Sequence, residues 1–548
     1  MPHGPEGADR PAPLIELRVL DGANIHFPRP SVAVTLDVGQ LVADDGSLLK
    51  ALAASAAVRP PRVGVPHSQI RQLSVARVLR GVMRHISSEL GIARLSVATR
   101  IRSDDSVTIA YPWRHRGTAT AAGVALAQAL ADPQGISAAI AAAAAALPGD
   151  GPVVPRPTVP VVAVTGTNGK TTTSRLIALM GRQDGRKVAW SSTDGVYVDG
   201  VCVDEGDWSG FGGAARVLAE PGLGLAVLEA ARGGLLLRGF GARHCDVAVV
   251  TNVAADHLGQ QGIDTLDELA EVKAIVPRSV RPGGWQVLNA EDPRVLAMRD
   301  PARAKVFVFA LDSSAPGVRR ALDDGGKAAV LLDDSIAVMS PDGGVDVLVS
   351  VREVPATVHG LAVHNIANAL AAAAAGLSIG LSRDAVVTGL RTFLPDQVHS
   401  PGRLNIYERD GVTVILDLAH NEDGLRALLH VADGLRSEGA QLHTILGTAG
   451  DRTDEVLVSL GEIAARASNT VVIAEKKRYL RGRDPAEMVR LLLDGLAAGG
   501  MGGAPVYPDE MSALKAAVGG ARRGDVVAFM CHVQRVEADA WLTSDTLD

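Results

Sequence analysis

Three features of this sequence predict an α/β protein. The run Val161-Val162-Ala163-Val164-Thr165 is apolar almost throughout, as a strand buried on both faces of a parallel sheet must be. A glycine-rich turn, Gly166-Thr167-Asn168-Gly169-Lys170-Thr171-Thr172, follows it directly and opens a helical pattern. From residue 401 a second series of β-like runs alternates with helical segments. The expected organisation is a small α+β N-terminal domain over 1–150, a central P-loop doubly wound sheet domain over 151–400 and a C-terminal Rossmann-like domain over 401–548.

Size and composition fit that plan. A chain of 548 residues exceeds the roughly 250–300 at which a single core stops growing, so several domains are expected. Apolar residues make up 47% and charged residues 21%, while aromatics at 3% leave the cores to Val, Leu, Ile and Ala. A net charge of −7 argues against a general electrostatic grip on nucleic acid or an anionic membrane. Cys202, Cys245 and Cys531 are far apart and in no metal-ligand spacing, which reads as free thiols in a reducing compartment. The first residues lack a basic stretch followed by an apolar one, and the longest apolar run is too short to span a bilayer. A cytoplasmic protein is therefore expected.

Along the first 150 residues, LIELRVL and SVAVTLDV read as strands. A helix is predicted from Ser68, which caps it, with Ile70, Leu73, Val78, Leu79, Val82, Met83, Ile86 and Leu90 on one apolar face and Gly91 at its end. RLSVATRI and SVTIAY form a second β pair, and an Ala-rich helix completes the unit. The Pro- and Gly-rich stretch PGDGPVVPRPTVP is a linker. In the middle region Asp199-Gly200, between the β-prone runs VYV and VCV, signals a hairpin. Beyond 401 the strands are VTVILDLAH, HTILGT, TVVIAE and DVVAFMC.

The residues 166–172 carry the strongest chemical signal. Glycines let backbone N–H groups curl around phosphate oxygens, and the following helix turns its positive end toward the same anion. Lys170 adds a point charge for terminal phosphates, and the Thr171 hydroxyl suits a magnesium ion. The general P-loop pattern asks for a glycine at position 164, where this chain has Val164, so the loop is a shortened G-x-x-G-K-T variant. A Gly-rich strand–helix turn without a ligand is the bland alternative.

VTGTNGKTT resembles the ATP-binding loop of the Mur ligase superfamily, which includes the cell-wall amino-acid ligases, folylpolyglutamate synthetase and cyanophycin synthetase. AVLEAARGG, VVTNVAADHLG, VLNAEDP, HNIANALAA, DLAHNEDG and GTAGDRTD follow in that family's order, over about residues 155–548. LEAARGG, DHLG and GDR are most similar to the C-terminal half of the cyanophycin synthetases, and the first 150 residues resemble their N-terminal domain more weakly. Those enzymes carry an ATP-grasp domain between the two parts, whereas here the linker runs straight into the P-loop domain.

The resemblance implies roles for named residues. Gly166, Thr167, Asn168, Gly169, Lys170, Thr171 and Thr172 would bind the phosphates of ATP, and Asn289 the adenine. Glu229, at the end of LAVLE, becomes a Mg²⁺ ligand together with Thr171, and His257 a ligand of a second Mg²⁺, with Asp256 orienting it or capping the next helix. Lys273 corresponds to a lysine that is carbamylated in many Mur ligases; that chemistry needs a neutral amine, and a salt-bridged lysine is the competing reading. Arg403 and Asp417 correspond to C-terminal residues that reach back to the ATP, Arg403 to phosphate and Asp417 to ribose or phosphate. Asn365 is either a nucleotide neighbour or a helix cap, and His420 and Asn421 share the Asp417 loop. Arg452, Arg481 and Arg483 would clamp the carboxylate of an incoming amine substrate, against the alternative of a solvated charged loop.

The expected activity is ATP-dependent joining of a carboxylate, activated as an acyl phosphate, to the amine of an amino acid or peptide, with Lys170, Glu229, His257 and Lys273 as the catalytic set and ATP and Mg²⁺ as cofactors. A P-loop kinase or hydrolase and a non-catalytic nucleotide-binding scaffold are the rivals. Homo-oligomerisation stays open at this point.

Overall fold

The computed structural model describes residues 13–59, 62–102, 105–256, 258–450, 452–476, 480 and 482–544. Three sheets organise it. The first is antiparallel and runs Leu14–Leu20, Ser31–Asp37, Ser106–Pro112, Ala98–Ile101 in spatial order. The helices Gln69–Glu89 and Arg116–Ala131 cover one of its faces around Val34, Leu79, Met83, Ile109 and Leu126. Its other face is lined with Arg18, Ala33, Thr35, Arg100 and Thr108.

Ser68 accepts from Arg71 N and caps the helix as expected, and Gly91 follows its end at φ +77°. The apolar face starts later than the sequence pattern suggested. Ile70 and Leu73 are 58% and 56% exposed, and Arg71 is the residue that turns inward. Its guanidinium donates to Leu41 O at 2.8 Å, Val63 O at 2.7 Å and the Asp44 carboxylate at 2.8 Å. A fully bonded arginine is a stable buried group, so hydrogen bonding overrides hydrophobic rank in this turn. The Ala-rich segment forms two helices, Arg116–Ala131 and Ile136–Ala144, parted at Asp132-Pro133 because proline cannot extend the first. Residues 147–160 carry no regular structure, as a linker should.

The second sheet holds eleven strands. From Lys327–Leu332 through Lys305–Ala310, Val280–Asn289, Cys245–Val250, Val161–Thr165, Leu225–Glu229 and Val188–Ser191 they are parallel. Antiparallel strands close both edges. One edge is the predicted hairpin, whose turn residues Asp199 and Gly200 sit at φ +47° and +94°. Alternate residues of one strand serve opposite cores. Val162 and Val164 pack beneath the helices Lys170–Gln183 and Val363–Ser378, while Val161 and Ala163 face Leu235, Leu269 and Ile275. That double burial explains the apolar run that announced the strand.

The third sheet orders Asn405–Arg409, Val412–Asp417, Val526–Met530, Leu442–Leu446, Thr470–Ala474 and Val506–Tyr507, parallel except for the first strand. Helices cover both faces. Among the described residues no helix is long and apolar enough to cross a membrane, and Cys202, Cys245 and Cys531 are free thiols.

Candidate active site

The site forms where three neighbouring parallel strands end together. Val164 lies opposite Glu229 on one side, and Thr165 opposite Val250 on the other. The chain leaves the strand Leu225–Glu229 on one flank of Val161–Thr165 and returns as Cys245–Val250 on the opposite flank. Such a reversal opens a crevice at the carboxyl ends of the strands, where ligands of doubly wound sheets bind.

Residues 166–169 are shaped by their neighbours. Gly166 has φ +150°, and a Cβ there would lie 1.8 Å from Thr251 Oγ1; Gly169 has φ +86°, and its Cβ would meet Asn368 Oδ1 at 2.2 Å. Asn252 braces the loop from below, its O accepting from Thr167 N at 3.0 Å and its Oδ1 from Asn168 N at 2.9 Å. The helix Lys170–Gln183 has Gly169 at its N-cap and no side chain capping it, so first-turn N–H groups are available to an anion. Lys170 Nζ rests on Thr167 O at 2.9 Å.

Thr171 and Glu229 are both buried and joined by a 2.9 Å hydrogen bond from Thr171 Oγ1 to Glu229 Oε2. Glu229 Oε1 is buried and has no hydrogen-bond partner among the described residues. Burial pushes this carboxyl above its usual range, against the pull of Lys170, the Thr171 hydroxyl and Arg403. An orphaned carboxylate oxygen beside a hydroxyl is a hard-oxygen pair suited to a divalent cation. Among the described residues no group of three or more His, Cys, Asp or Glu could hold a metal; His257 and Arg481 lie outside them.

Lys273 ends the helix Leu266–Lys273 and is 2% exposed. Burial, reinforced by Lys170, holds its ammonium well below the usual lysine range, and the carboxylates of Asp256 and Asp292 offset this in part. Asp256 accepts from Arg452 Nη1 at 2.7 Å and stands 3.9 Å from His420 Nε2. Arg483 donates to Arg452 O at 2.7 Å and to Asp454. Asn289 donates from Nδ2 to Thr251 O at 2.9 Å and accepts from Glu291 N at 2.9 Å, and it is not among the residues lining the cleft.

That cleft, of about 310 Å³, lies between the phosphate loop and the third sheet. Its far wall carries Arg403, Asp417, His420 and Asn421. Asp417 accepts Leu404 N at 2.8 Å, and burial pushes its carboxyl up despite Arg403 beside it. Arg403 Nε is buried without a hydrogen-bond partner among the described residues. Asn421 caps the helix Glu422–Leu435 and donates from Nδ2 to Asn168 Oδ1 at 3.1 Å, tying the third sheet to the phosphate loop.

Of the two readings of Asn365 the cap is not found: it lines the cleft, donates to Ala356 O at 2.8 Å and accepts from Asn368 at 3.0 Å. Several contributors were not predicted, among them Asn368, which backs Gly169. The three-residue spacing of the two asparagines on one helix face was the available signal. His364, also on the cleft, is lowered to about 4 by burial and by His430. Arg232 follows Glu229 closely in sequence and donates to Gln260 O.

Comparison with known proteins follows the same architecture. A model described as Mur ligase middle domain matches residues 164–376, and one described as Mur ligase, glutamate ligase domain, matches 402–532. The chain is 39% identical over 373 residues to the cyanophycin synthetase of Synechocystis sp., an alignment covering 68% of this chain and 42% of that one. It is 28% identical over 355 residues to the UDP-N-acetylmuramoyl-L-alanyl-D-glutamate–2,6-diaminopimelate ligase of Geobacter sulfurreducens, covering 63% and 65%. The chain thus spans less than half the length of the cyanophycin synthetases it matches. A solved bifunctional folylpolyglutamate synthase/dihydrofolate synthase with Mn, AMPPNP and L-glutamate bound shares the fold, with a TM-score of 0.51 at 18% identity over 70% of this chain and 89% of that one. Because the middle and glutamate-ligase models match consecutive stretches on the two sides of the cleft, the chain belongs to the Mur ligase family.

Proposed function

We propose that this protein is an ATP-dependent carboxylate–amine ligase that forms ADP, phosphate and an amide. The observation that carries the reading is the buried Thr171–Glu229 pair, with one carboxylate oxygen left without a partner among the described residues, at the foot of a helix that begins with Lys170 and has no side-chain cap. A divalent cation, Mg²⁺ in this reading, fits Thr171 and Glu229 and would neutralise charge on the phosphates of ATP. His257 is proposed as a ligand of a second Mg²⁺.

The residues then take separate tasks. Backbone N–H groups of 166–172 cradle the phosphates, and Lys170 leaves Thr167 O to meet the terminal phosphate. Arg403, whose Nε has no hydrogen-bond partner among the described residues, meets the same phosphates from the opposite wall, and Asp417 lies beside it at the ribose end. Asn289 is proposed to reach the adenine by releasing its hold on the Thr251 carbonyl. The substrate carboxylate oxygen bonds to the γ-phosphorus and ADP departs. The amine nitrogen then bonds to the acyl carbon, phosphate departs, and the amine loses a proton. Positioning and charge stabilisation carry both steps, and no protein nucleophile is required. Lys273, whose charged form burial disfavours, is proposed as the amine that takes up CO₂ as a carbamate. Amino acids or short peptides are the proposed substrates.

The test is ADP release with ATP and Mg²⁺ across pairs of amino acids and short acidic peptides, with products read by mass spectrometry. A product one water lighter than the summed substrates supports the ligase. ADP without any condensed product across the panel transfers the protein to the hydrolases.

A further inference from the structure

The strand Val526–Met530, inside the third sheet, ends in a buried polar knot. The residues after it turn around Glu510, whose carboxylate accepts the N–H groups of His532 at 2.7 Å, Val533 at 2.9 Å and Gln534 at 2.8 Å. Three acceptors surround Lys476 Nζ: Glu510 Oε1 at 2.6 Å, Met530 O at 2.8 Å and His532 Nδ1. An ammonium has three protons and no lone pair, so each acceptor takes one proton and His532 Nδ1 must accept.

That fixes the tautomer. Burial first, then Lys476 and His420, holds the imidazole well below its usual range, so the ring is neutral at neutral pH. A neutral ring that accepts at Nδ1 carries its proton on Nε2. His532 Nε2 is buried and has no hydrogen-bond partner among the described residues. A buried donor without an acceptor is costly, and this one is held in a fixed direction by the lysine behind it.

The ring is turned toward the Ala419 carbonyl, short of hydrogen-bond geometry. Neighbouring strands bring the two together: Asp417 pairs with Met530, and Cys531 N donates to Asp417 O at 2.9 Å. The Asp417 carboxylate takes the N–H of Ala419. Ala419 is thus held at its amide by a carboxylate and faced at its carbonyl by an imidazole N–H. It lies in the cleft wall between Asp417 and His420, and Asn421, two residues on, reaches Asn168 of the phosphate loop.

We propose that His532 is a positioning residue: its Nε2–H, aimed by Lys476, closes on the Ala419 carbonyl when the cleft is loaded and sets residues 417–421 against the nucleotide. The proposal rests on reading the cleft as the ATP site.

Two measurements on the full chain test it. Long-range proton–nitrogen NMR of histidine-labelled protein reads the tautomer, with the His532 signals identified by their loss in His532→Gln. The expected signature is a protonated Nε2 and a bare Nδ1 at neutral pH. A proton on Nδ1 overturns the proposal whether or not the protein is a ligase. Titration with Mg²⁺ and a fluorescent, non-hydrolysable ATP analogue reads the second part. His532→Leu should weaken binding about tenfold, through loss of one buried hydrogen bond. His532→Gln, which keeps an amide N–H in reach of Ala419, should recover most of that. Equal weakening in the two variants, or parent-like binding in His532→Leu, overturns the proposal. In turnover His532→Leu should raise KM for ATP and hold kcat within about threefold of the parent; a fall in kcat at unchanged KM counts against it. A parent that binds the analogue and yields no condensed product sinks the ligase reading alone, while the titration still decides the role of His532.

Discussion

Thr171 Oγ1 donates to Glu229 Oε2 across 2.9 Å, joining the first turn of one helix to the end of the adjacent parallel strand. The hydroxyl satisfies one carboxylate oxygen and leaves the other without a partner among the described residues. In the metal-free protein that arrangement is costly, because a buried carboxylate with an empty oxygen has lost its hydration.

Glu229→Gln should therefore have opposite effects on stability and turnover. Glu229 is raised in the folded state by burial, so folded protein holds more protons than unfolded protein above the ordinary carboxylate range. Stability of the metal-free chain then falls as pH rises through that window, and the glutamine variant should flatten the slope and melt higher at neutral pH. Turnover should fall by about a hundredfold or more through loss of the proposed cation ligand's charge. Thermal melts across pH, with and without Mg²⁺, check the first part; a lower melting temperature for the metal-free variant would count against it.

Lys170→Ala should leave the melting temperature near that of the parent, since the Nζ makes a single hydrogen bond among the described residues, to Thr167 O. ADP release should drop by about 10²–10³-fold. Near-normal turnover in this variant removes Lys170 from the phosphate site.

Gly169→Ala tests the loop conformation directly. The position has φ +86°, and the new Cβ would lie 2.2 Å from Asn368 Oδ1. A destabilisation of about 1–3 kcal/mol is expected from strain alone. Fluorescent ATP-analogue titration should show weakened binding, partly restored by Asn368→Ala.

Lys273→Met keeps the stem and removes the amine. The lysine is held well below its usual range by burial, so the unfolded chain binds the extra proton, and stability is lost as pH falls from the ordinary lysine range. The methionine variant should be the more stable at neutral pH and should lose most ADP release. A variant that turns over normally leaves Lys273 with a packing role only.

The Lys476–Glu510 pair, at 2.6 Å and with both side chains buried, should control the third sheet. Burial alone would raise the Glu510 carboxyl, but Lys476 and the N–H groups of His532 and Gln534 outweigh it and hold it below the usual range. Its stabilising effect is present above the ordinary carboxylate range and is lost as pH falls through the depressed value. Glu510→Ala should cost about 3–5 kcal/mol, because an uncompensated buried ammonium remains. Denaturant melts check this, and Lys476→Met in the same chain should recover part of the loss.

Local patterns carried the elements nearest the chemistry. The run 161–165 is buried on both sides, the pair Asp199-Gly200 adopts the positive φ of a tight hairpin, and Ser68 caps its helix, each decided by a few adjacent residues. The conformation of the turn at 166–169 was legible for the same reason, since its glycines and the lysine and threonine after them act within one turn. The inward turn of Arg71 was not legible, because its acceptors, Leu41 O and the Asp44 carboxylate, lie 30 and 27 residues away.

By itself the sequence determined the α/β class, the glycine-rich strand–helix turn at 166–172 and the residue types proposed for phosphate and cation chemistry, because period, turn residues and short motifs are properties of neighbouring positions. Only the tertiary structure decided which distant groups share the cleft. Asn421 meets Asn168 from 253 residues away, and Arg452 meets Asp256 from 196. It also decided that burial disfavours the charged form of Lys273, and that a cavity lies between the first sheet and the loop through Gly262. Desolvation and electrostatic neighbourhood arise from packing between sheets, and no local pattern in the chain encodes them.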